Sequence, residues 1–370
     1  MRLRAVKLST KLTLLVTTGV AAALALGVPG AIDRIDRSQA ASDVSARVST
    51  LRTLVRFHEL SDREATLSAW FVASGELAAL RTLTTVRPEA DREARSLAAQ
   101  AHDVGGPLAA SVARVERAWA KLRETRATID TRIITDATTL ARFDAVSGAI
   151  RQALDAGSVA DTGAANRALR SRAAIDELRN AVAREQAAIA VALARASISA
   201  QLLDRLRASA AAQSTGRAQA LASARDSAGP SVDTQLDLLR SSAAVVRTTR
   251  APALLGVPPF ITPTEWEQRS DDQIRAITTL GRSLDVRADD QAAAASRAGR
   301  AGVVRWLVLL GAIVAGVIVI ALLLTRAVRR PLRAVRDTAV DLADRERAAL
   351  TAFDTARTKA SVAPLAVTTD

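Results

Sequence analysis

The sequence lacks cysteine and tyrosine altogether and has only two histidines among its 370 residues. Without cysteine, the chain can form neither disulfides nor thiolate metal sites, and it has no cysteine nucleophile. With so few histidines, a dedicated metal site is not expected, and no cofactor is predicted. The serine and threonine residues lack the neighbouring base that nucleophilic catalysis requires. The composition therefore predicts a protein that is not an enzyme.

Aromatic residues make up only 2% of the chain, and there are only 10 prolines. β-Sandwiches and β-barrels use alternating β-branched and aromatic residues with frequent turn signals, so these folds are not expected. Long segments rich in alanine, leucine, arginine and glutamate favour helices instead. The sequence predicts an all-α protein.

Two long apolar segments are present. Leu12–Ile32 runs for 21 residues and Trp306–Thr325 for 20 residues without a charge. At about 1.5 Å per helical residue, either length can cross a bilayer core of about 30 Å. Lysines and arginines precede the first segment and arginines follow the second, and such clusters stay on the cytoplasmic side. The pattern predicts two membrane spans with both termini in the cytoplasm. A cleaved signal peptide is the alternative interpretation of the first segment.

The spans divide the chain into six predicted parts. These are a cytoplasmic N-terminus (1–11), a first transmembrane helix (12–32), an extracytoplasmic helical domain (33–302), a second transmembrane helix (303–325), a signalling helix (326–350) and a disordered tail (351–370). The formal net charge of +13 divides into +4, +5 and +4 for residues 1–32, 33–302 and 303–370. Because most of the excess flanks the membrane and aromatics are few, nucleic acid is not an expected partner.

Helices separated by short breaks are predicted for the extracytoplasmic domain. The first span is expected to continue to about Ser74, because no proline or glycine interrupts residues 33–74. Further breaks are expected at Pro88 and at Gly105. A single long helix is then predicted from about Leu108 to Asp155, because its apolar residues recur every three or four positions.

A loop at 156–163 is expected to divide two helical bundles. Helices are predicted over 164–197, 199–225 and 231–248, and 251–263 is expected to be irregular because of its prolines. Thr264 offers an N-cap or first-turn residue for a last helix that leads into the second span. The expected architecture is two stacked antiparallel bundles.

Three strings between about residues 40 and 300 resemble the nitrate- and nitrite-sensing (NIT) domain of actinobacterial sensor histidine kinases. Leu-Val-Arg-Phe-His-Glu-Leu-Ser-Asp-Arg-Glu at 54–64 is similar to the early helix of that family, with Asp62–Arg63 where the family usually has Glu–Arg. Leu-Arg-Asn-Ala-Val-Ala-Arg-Glu at 178–185 is similar to a segment that opens the later bundle. Ile-Thr-Pro-Thr-Glu-Trp at 261–266 is similar to the helix that returns to the membrane. The resemblance implies a receptor for nitrate, nitrite or a similar small anion.

Arginines are the expected ligands of that anion, because each guanidinium offers five N–H donors in a fixed fork. Arg56 and Arg63 are seven residues apart, hence on one helix face, and Arg184 is expected to complete the pocket. Arg172 and Arg179 are possible substitutes for Arg184. The alternative for each of these arginines is an ordinary ion pair with a nearby carboxylate, which is common on helix surfaces.

The string His58–Ser61 is similar to the phosphoacceptor motif of histidine kinases. It lacks the usual proline, and the predicted topology places it outside the membrane, where ATP is not available. No glycine-rich ATP lid follows in the sequence. We therefore interpret His58 as a polar position on an otherwise apolar helix face.

The segment Arg330–Val335 resembles the entry to a HAMP signalling helix, and the likeness ends after Leu342. It implies a parallel homodimer, which would carry a displacement inward to a separate kinase or response-regulator system. The alternative is a membrane-bound helical scaffold or receptor remnant that acts through protein partners.

Overall fold

The computed structural model describes residues 8–158, 164–228 and 232–360, and this part of the chain is all-α, as predicted. Its helices are α1 (Leu8–Ser74), α2 (Leu77–Val104), α3 (Gly106–Asp130), α4 (Asp136–Ser158), α5 (Ala164–Arg195), α6 (Ala200–Ala228), α7 (Val232–Leu254) and α8 (Pro263–Ala360). The chain divides into a central unit, Arg37–Arg300, and a terminal unit formed by residues 1–36 and 301–370. Helices α1 and α8 contribute to both units.

The break predicted at Pro88 is wrong, because Pro88 lies inside α2. A proline in a helix interior costs about 3 kcal/mol. Buried apolar side chains lie on both sides of it, Val86 before and Ala90 after, and the same face continues to Leu97. Packing of this face outweighs the local cost of the proline, and α2 ends instead at Gly105, where the φ angle of 64° suits glycine.

The single helix predicted over 108–155 is also wrong. Helix α3 ends at Asp130 and α4 begins at Asp136, with Arg132 between them in the left-handed region at φ 55°. The hydroxyl of Thr135 accepts a hydrogen bond of 3.1 Å from the Thr138 amide, which caps α4. Sequence periodicity runs through this turn, so the capping threonine is the only local signal for it.

The start of α8 differs from the prediction by two residues. Thr262, rather than Thr264, caps the helix: its hydroxyl accepts from the Glu265 amide at 3.2 Å, and the Glu265 carboxylate accepts from the Thr262 amide at 3.0 Å. This reciprocal arrangement is a capping box. The irregular segment is also shorter than predicted, because Pro252 lies inside α7.

Two four-helix bundles make up the central unit. The core of the first comes mainly from α1–α4, where the rings of Phe57 and Trp119 meet edge to face at 4.8 Å, and buried residues of α5 and α8 also pack into it. The core of the second comes from α5–α8 and includes Leu206 and Trp266. Ala69 of α1 and Leu140 of α4 pack among the alanines of α5, so the bundles meet along these helices.

Helix α5 is the most deeply buried helix of the second bundle. From Leu178 to Ala192, every side chain except that of Arg184 is buried. Six of these fifteen residues are alanines, whose small side chains let neighbouring helices approach closely from several directions. The charged residues of α5 are thereby carried into the interior, where each requires a partner.

A buried ion cluster stabilises the first bundle. The carboxylate of Glu64 is shielded from solvent and accepts hydrogen bonds of 2.8 and 2.9 Å from Arg126 and one of 3.2 Å from Arg87. Asp91 accepts from Arg126 at 2.7 Å and from the indole N–H of Trp119 at 2.9 Å. Burial raises the pKa of Glu64 even though Arg126 and Arg87 lower it, so the carboxylate depends on these arginines to stay ionised.

Among the described residues, one helical segment is long and apolar enough to cross a membrane. It lies within Pro263–Leu323 of α8 and reaches a mean hydropathy of 2.9. The first predicted span, Leu12–Ile32, is helical as part of α1, but most of its side chains lie outside the described residues. The tail predicted to be disordered is helical as far as Ala360, and residues 361–370 lie outside the described part.

The substitution Arg126→Met should destabilise the protein by about 3–5 kcal/mol, because it leaves the buried Glu64 carboxylate without its main partner. Arg240→Met is the matched control: Arg240 pairs with Asp237 on the surface, with both side chains more than half exposed, and such pairs contribute about 0–1 kcal/mol. Chemical unfolding of the full chain in detergent measures both changes. Equal, small losses for the two variants would contradict a structural role for the buried cluster.

Candidate functional site

A buried polar layer joins α1 to α5. The Nδ1 atom of His58 lies 2.7 Å from a carboxylate oxygen of Asp176, and its Nε2 atom lies 3.0 Å from the amide nitrogen of Asn180. Arg179 donates to Asp62 at 2.8 Å and to Asp176 at 3.1 and 3.2 Å. The side chain of His58 has no exposed surface. It is a polar position within a helix interface, as we interpreted it from the sequence.

Opposite charges are closely matched in this layer. Burial alone would raise the pKa of Asp176, but the His58 ring and the Arg179 guanidinium hold it well below its ordinary value. Likewise, burial opposes the charge of Arg179, while Asp176 and Asp62 raise its pKa. These carboxylates use the donors of Arg179, so the layer fixes the register of α1 against α5 and leaves little capacity for an added anion.

A groove of about 660 Å³ lies beside this layer, lined by parts of α1, α2, α5 and α8. Arg63 lines it. The charged side chains of the wall are five carboxylates and four arginines, namely Glu59, Asp62, Glu76, Glu267, Asp271, Arg63, Arg179, Arg275 and Arg282. Burial, Asp271 and Glu76 raise the pKa of Glu267, although Arg63 lowers it. The groove therefore repels negative charge near Glu267.

A different environment surrounds Arg184, on the side of α5 that faces α4. Its Nε atom lies 3.3 Å from Asp144, and Arg205 of α6 binds the same carboxylate through two contacts of 2.7 Å. Arg151 of α4 is close enough to repel Arg184. These four residues form the Asp144 cluster. It has three guanidinium groups and one carboxylate, and therefore a local charge of +2.

The Asp144 cluster has hydrogen-bond donors to spare. The Nε atoms of Arg151, Arg184 and Arg205 are shielded from solvent, and among the described residues none of them has a hydrogen-bond partner. Burial, Arg151 and Arg205 lower the pKa of Arg184, against the opposing effects of Asp144 and Asp62. A guanidinium still remains protonated at neutral pH. A small oxyanion here would both use the free donors and reduce the repulsion between the arginines.

Arg151 also lines a cavity of about 300 Å³ between α4 and α5. Its wall contains Arg170, Asp155 and Glu177 and is mostly polar. The Arg184 and Arg205 side chains are 26% and 20% exposed. The Asp144 cluster is thus partly buried, which strengthens its electrostatic interactions.

The three arginines expected from the sequence have different partners. Arg56 is 71% exposed and pairs with Glu93 of α2 at 2.9 Å. Arg63 lines the acidic groove, and Arg184 belongs to the Asp144 cluster. Of the two substitutes, Arg179 is held in the buried layer. Arg172 donates to Asp285 at 3.1 Å.

Sequence reasoning missed Asp144, Arg151 and Arg205. Each is one charged residue among many in an arginine-rich chain. The only available signal was the antiparallel pairing of α4 with α5, which also brings Arg195 to 2.8 Å from Asp136. That pairing could not be read while α3 and α4 were predicted as one helix.

Comparison with known proteins gives two findings. A family model described as "Nitrate and nitrite sensing" (NIT) matches residues 57–292, which is more than half of the chain. The fold is similar to a solved structure titled "Structure of the NasR transcription antiterminator", with 15% sequence identity and a TM-score of 0.57; the match covers 76% of this chain and 82% of that one. A search of curated proteins gives no match.

The buried layer should make stability depend on pH through Asp176. Because its folded-state pKa is depressed, the ionised carboxylate stabilises the fold above its unfolded pKa of about 3.9, and this contribution is lost as pH falls towards the folded pKa. Asp176→Asn should therefore lower the free energy of unfolding most at neutral pH and progressively less below about pH 4. Asp272→Asn, at an exposed position, is the control. A difference between Asp176→Asn and the unmodified chain that stays constant from pH 7 to pH 3 would contradict this role.

Proposed function

The chain belongs to the nitrate- and nitrite-sensing (NIT) family, and on this premise we propose that it is a transmembrane receptor whose central unit binds nitrate or nitrite. The family is sensory rather than catalytic, which agrees with the composition. Binding would shift the packing of α4, α5 and α6, and a connected helix would carry the change across the membrane. A ligand can drive such a change only to the extent that it binds one state more tightly than the other.

The Asp144 cluster is the site that best suits a small monovalent oxyanion. The observation that carries this assignment is the net charge of +2 on these four residues, together with three shielded Nε–H groups that make no hydrogen bond to any described residue; the Nε atom of Arg184 is in ionic contact with Asp144 only. Nitrate has three equivalent oxygens in a plane, and guanidinium groups match planar oxyanions with paired donors. Hydrogen bonds to charged groups contribute about 1.5–3 kcal/mol each, so two or three such bonds give useful affinity.

Arg63 and Arg56 are weaker candidates for direct ligands. Arg63 shares its groove with Glu267 and Glu76, and a bound anion would face both carboxylates. Arg56 is largely solvated and already paired, so it offers little differential stabilisation. Arg56 and Arg63 would contact the anion only if the helices packed differently from the arrangement described above. Substitution of Arg63 distinguishes a site in the groove from a site at the Asp144 cluster.

Passage of the signal through the membrane is supported by the continuity of α1 and α8 and by the apolar character of α8. Within the terminal unit, Gly30 of α1 lies against Trp306 of α8, and a Cβ atom at position 30 would be 3.2 Å from the indole ring. So close an approach suits two packed spans, since small residues let membrane helices come together. Beyond the span, Val335 and Leu342 are exposed on α8, and a parallel homodimer would bury such an apolar stripe. A separate kinase or response-regulator system would receive the signal.

Nitrate binding by the full chain in detergent, measured by calorimetry, should weaken at least tenfold in Arg184→Gln and in Arg205→Gln. Each substitution removes one charged hydrogen-bond donor, which corresponds to about 1.4 kcal/mol or more. Arg195→Gln, which alters a half-exposed ion pair with Asp136, is the matched control and should bind normally. Loss of binding in Arg63→Ala, with normal binding in Arg184→Gln and Arg205→Gln, would move the site to the groove. No response to nitrate or nitrite in any variant would favour the scaffold alternative.

The orientation of the second span can be tested directly because the chain has no cysteine. Ala120→Cys and Ala343→Cys place single thiols at exposed positions on α3 and α8. A membrane-impermeant maleimide should label Cys at 120 in intact cells and Cys at 343 only after permeabilisation, because the arginine-rich end of the span stays inside. The reverse pattern, or labelling of both in intact cells, would contradict the proposed orientation.

A further inference from the structure

A second arginine cluster lies on another side of α5, where α6 and α7 pack against it. The buried residues at its centre are Glu185, which is 1% exposed, and Gln213, which is 2% exposed. One oxygen of Glu185 accepts from Gln213 at 2.6 Å and from Arg250 of α7 at 3.2 Å. The other oxygen is shielded and accepts no hydrogen bond from any residue that the structure describes. Arg250 also donates to the Gln213 carbonyl oxygen at 3.1 Å.

Three arginines lie near Glu185 and Gln213. Arg217 of α6 is repelled by both Arg247 and Arg250 of α7, and Glu185 partly offsets this repulsion. The Nε atom of Arg217 is shielded and makes no hydrogen bond within the described part of the chain. Burial and the two neighbouring arginines lower the pKa of Arg217, so the positive charge here is only partly neutralised. We call these residues the Glu185 cluster; its local charge is +2.

The Glu185 cluster is separate from the Asp144 cluster. Arg184 and Glu185 are consecutive in α5 and therefore project about 100° apart around the helix axis. Arg184 faces Asp144 of α4, whereas Glu185 faces α6 and α7. The proposed nitrate site does not use the Glu185 cluster.

We propose that the Glu185 cluster is a second anion site, which binds a divalent tetrahedral oxyanion of the sulfate or phosphate type. Arg247 and Arg250 are three residues apart, hence on one face of α7, and Arg217 approaches from α6. A divalent anion neutralises the excess of two charges, whereas nitrate would leave half of it. Four tetrahedral oxygens can accept from three guanidinium groups at once. Arg247 is exposed, which leaves the cluster open to solvent.

The test is calorimetric titration of the full chain in detergent with sulfate, and separately with phosphate, at constant ionic strength set with chloride. Binding of at least one of the two divalent anions should weaken at least tenfold in Arg217→Gln, the loss expected for one charged hydrogen bond. Arg247→Gln should also weaken binding, and because this residue is exposed the variant is expected to fold normally. The anion that binds more tightly, sulfate or phosphate, identifies the type of ligand that the cluster prefers.

Arg205→Gln is the matched control, since it changes the Asp144 cluster and leaves the Glu185 cluster intact. It should weaken nitrate binding while sulfate or phosphate binding is kept, and Arg217→Gln should show the opposite pattern. Absence of saturable sulfate and phosphate binding would overturn this proposal while leaving nitrate sensing untouched. So would loss of both anions in Arg205→Gln alone, because a single shared site would then explain all binding.

Discussion

The structure depends on neutralising the charges that α5 carries into the interior. A charge in a low-dielectric environment is tolerated only when it is paired and hydrogen-bonded. Asp176 and Arg179 are paired with His58 and Asp62 of α1. Arg172 is paired with Asp285 of α8. Because these partners come from separate helices, sliding or rotating α5 would break several charged contacts at once.

Small side chains make this arrangement possible. The alanines of α5 let other helices approach it closely, and the short arginine–carboxylate contacts follow from that approach. The chain has no cysteine and therefore no disulfide to hold its helices in place. The buried layer and the Glu64 ion cluster instead define the register in which the helices pack. Such contacts are strongly directional, and they contribute to specificity even where their net contribution to stability is modest.

The balance of charge differs between the middle and the edges of this interface. In the buried layer, carboxylates occupy the donors of Arg179, which suits a rigid junction. Around Asp144, arginines outnumber carboxylates, and several of their N–H groups make no hydrogen bond to the described residues. Such an arrangement suits reversible binding of an anion. An anion bound there would compete with Asp144 for Arg184 and Arg205, and so would alter how α4 and α6 pack against α5. The ion pairs that hold α4 and α6 against α5 would therefore also be the contacts that a bound anion changes.

Sequence reasoning predicted the helical class and the α1 continuation to Ser74, because both follow from composition and from missing helix breakers. It failed at Pro88 and at the turn after Asp130, where tertiary packing and a single capping threonine decided the outcome. Of the residues in the proposed nitrate site, only Arg184 was among those predicted from the sequence. Its partners Asp144 and Arg205 lie 40 and 21 residues away in the chain, and the register of antiparallel helices that joins them depends on packing, which local patterns do not specify.

The most direct test is a crystal structure of the full chain with bound nitrate. The anion is expected among the guanidinium groups of Arg151, Arg184 and Arg205, with Asp144 displaced from at least one of them. Nitrate bound in the groove beside Arg63, with the Asp144 cluster unchanged, would contradict the proposal that excess positive charge beside α5 forms the sensing site.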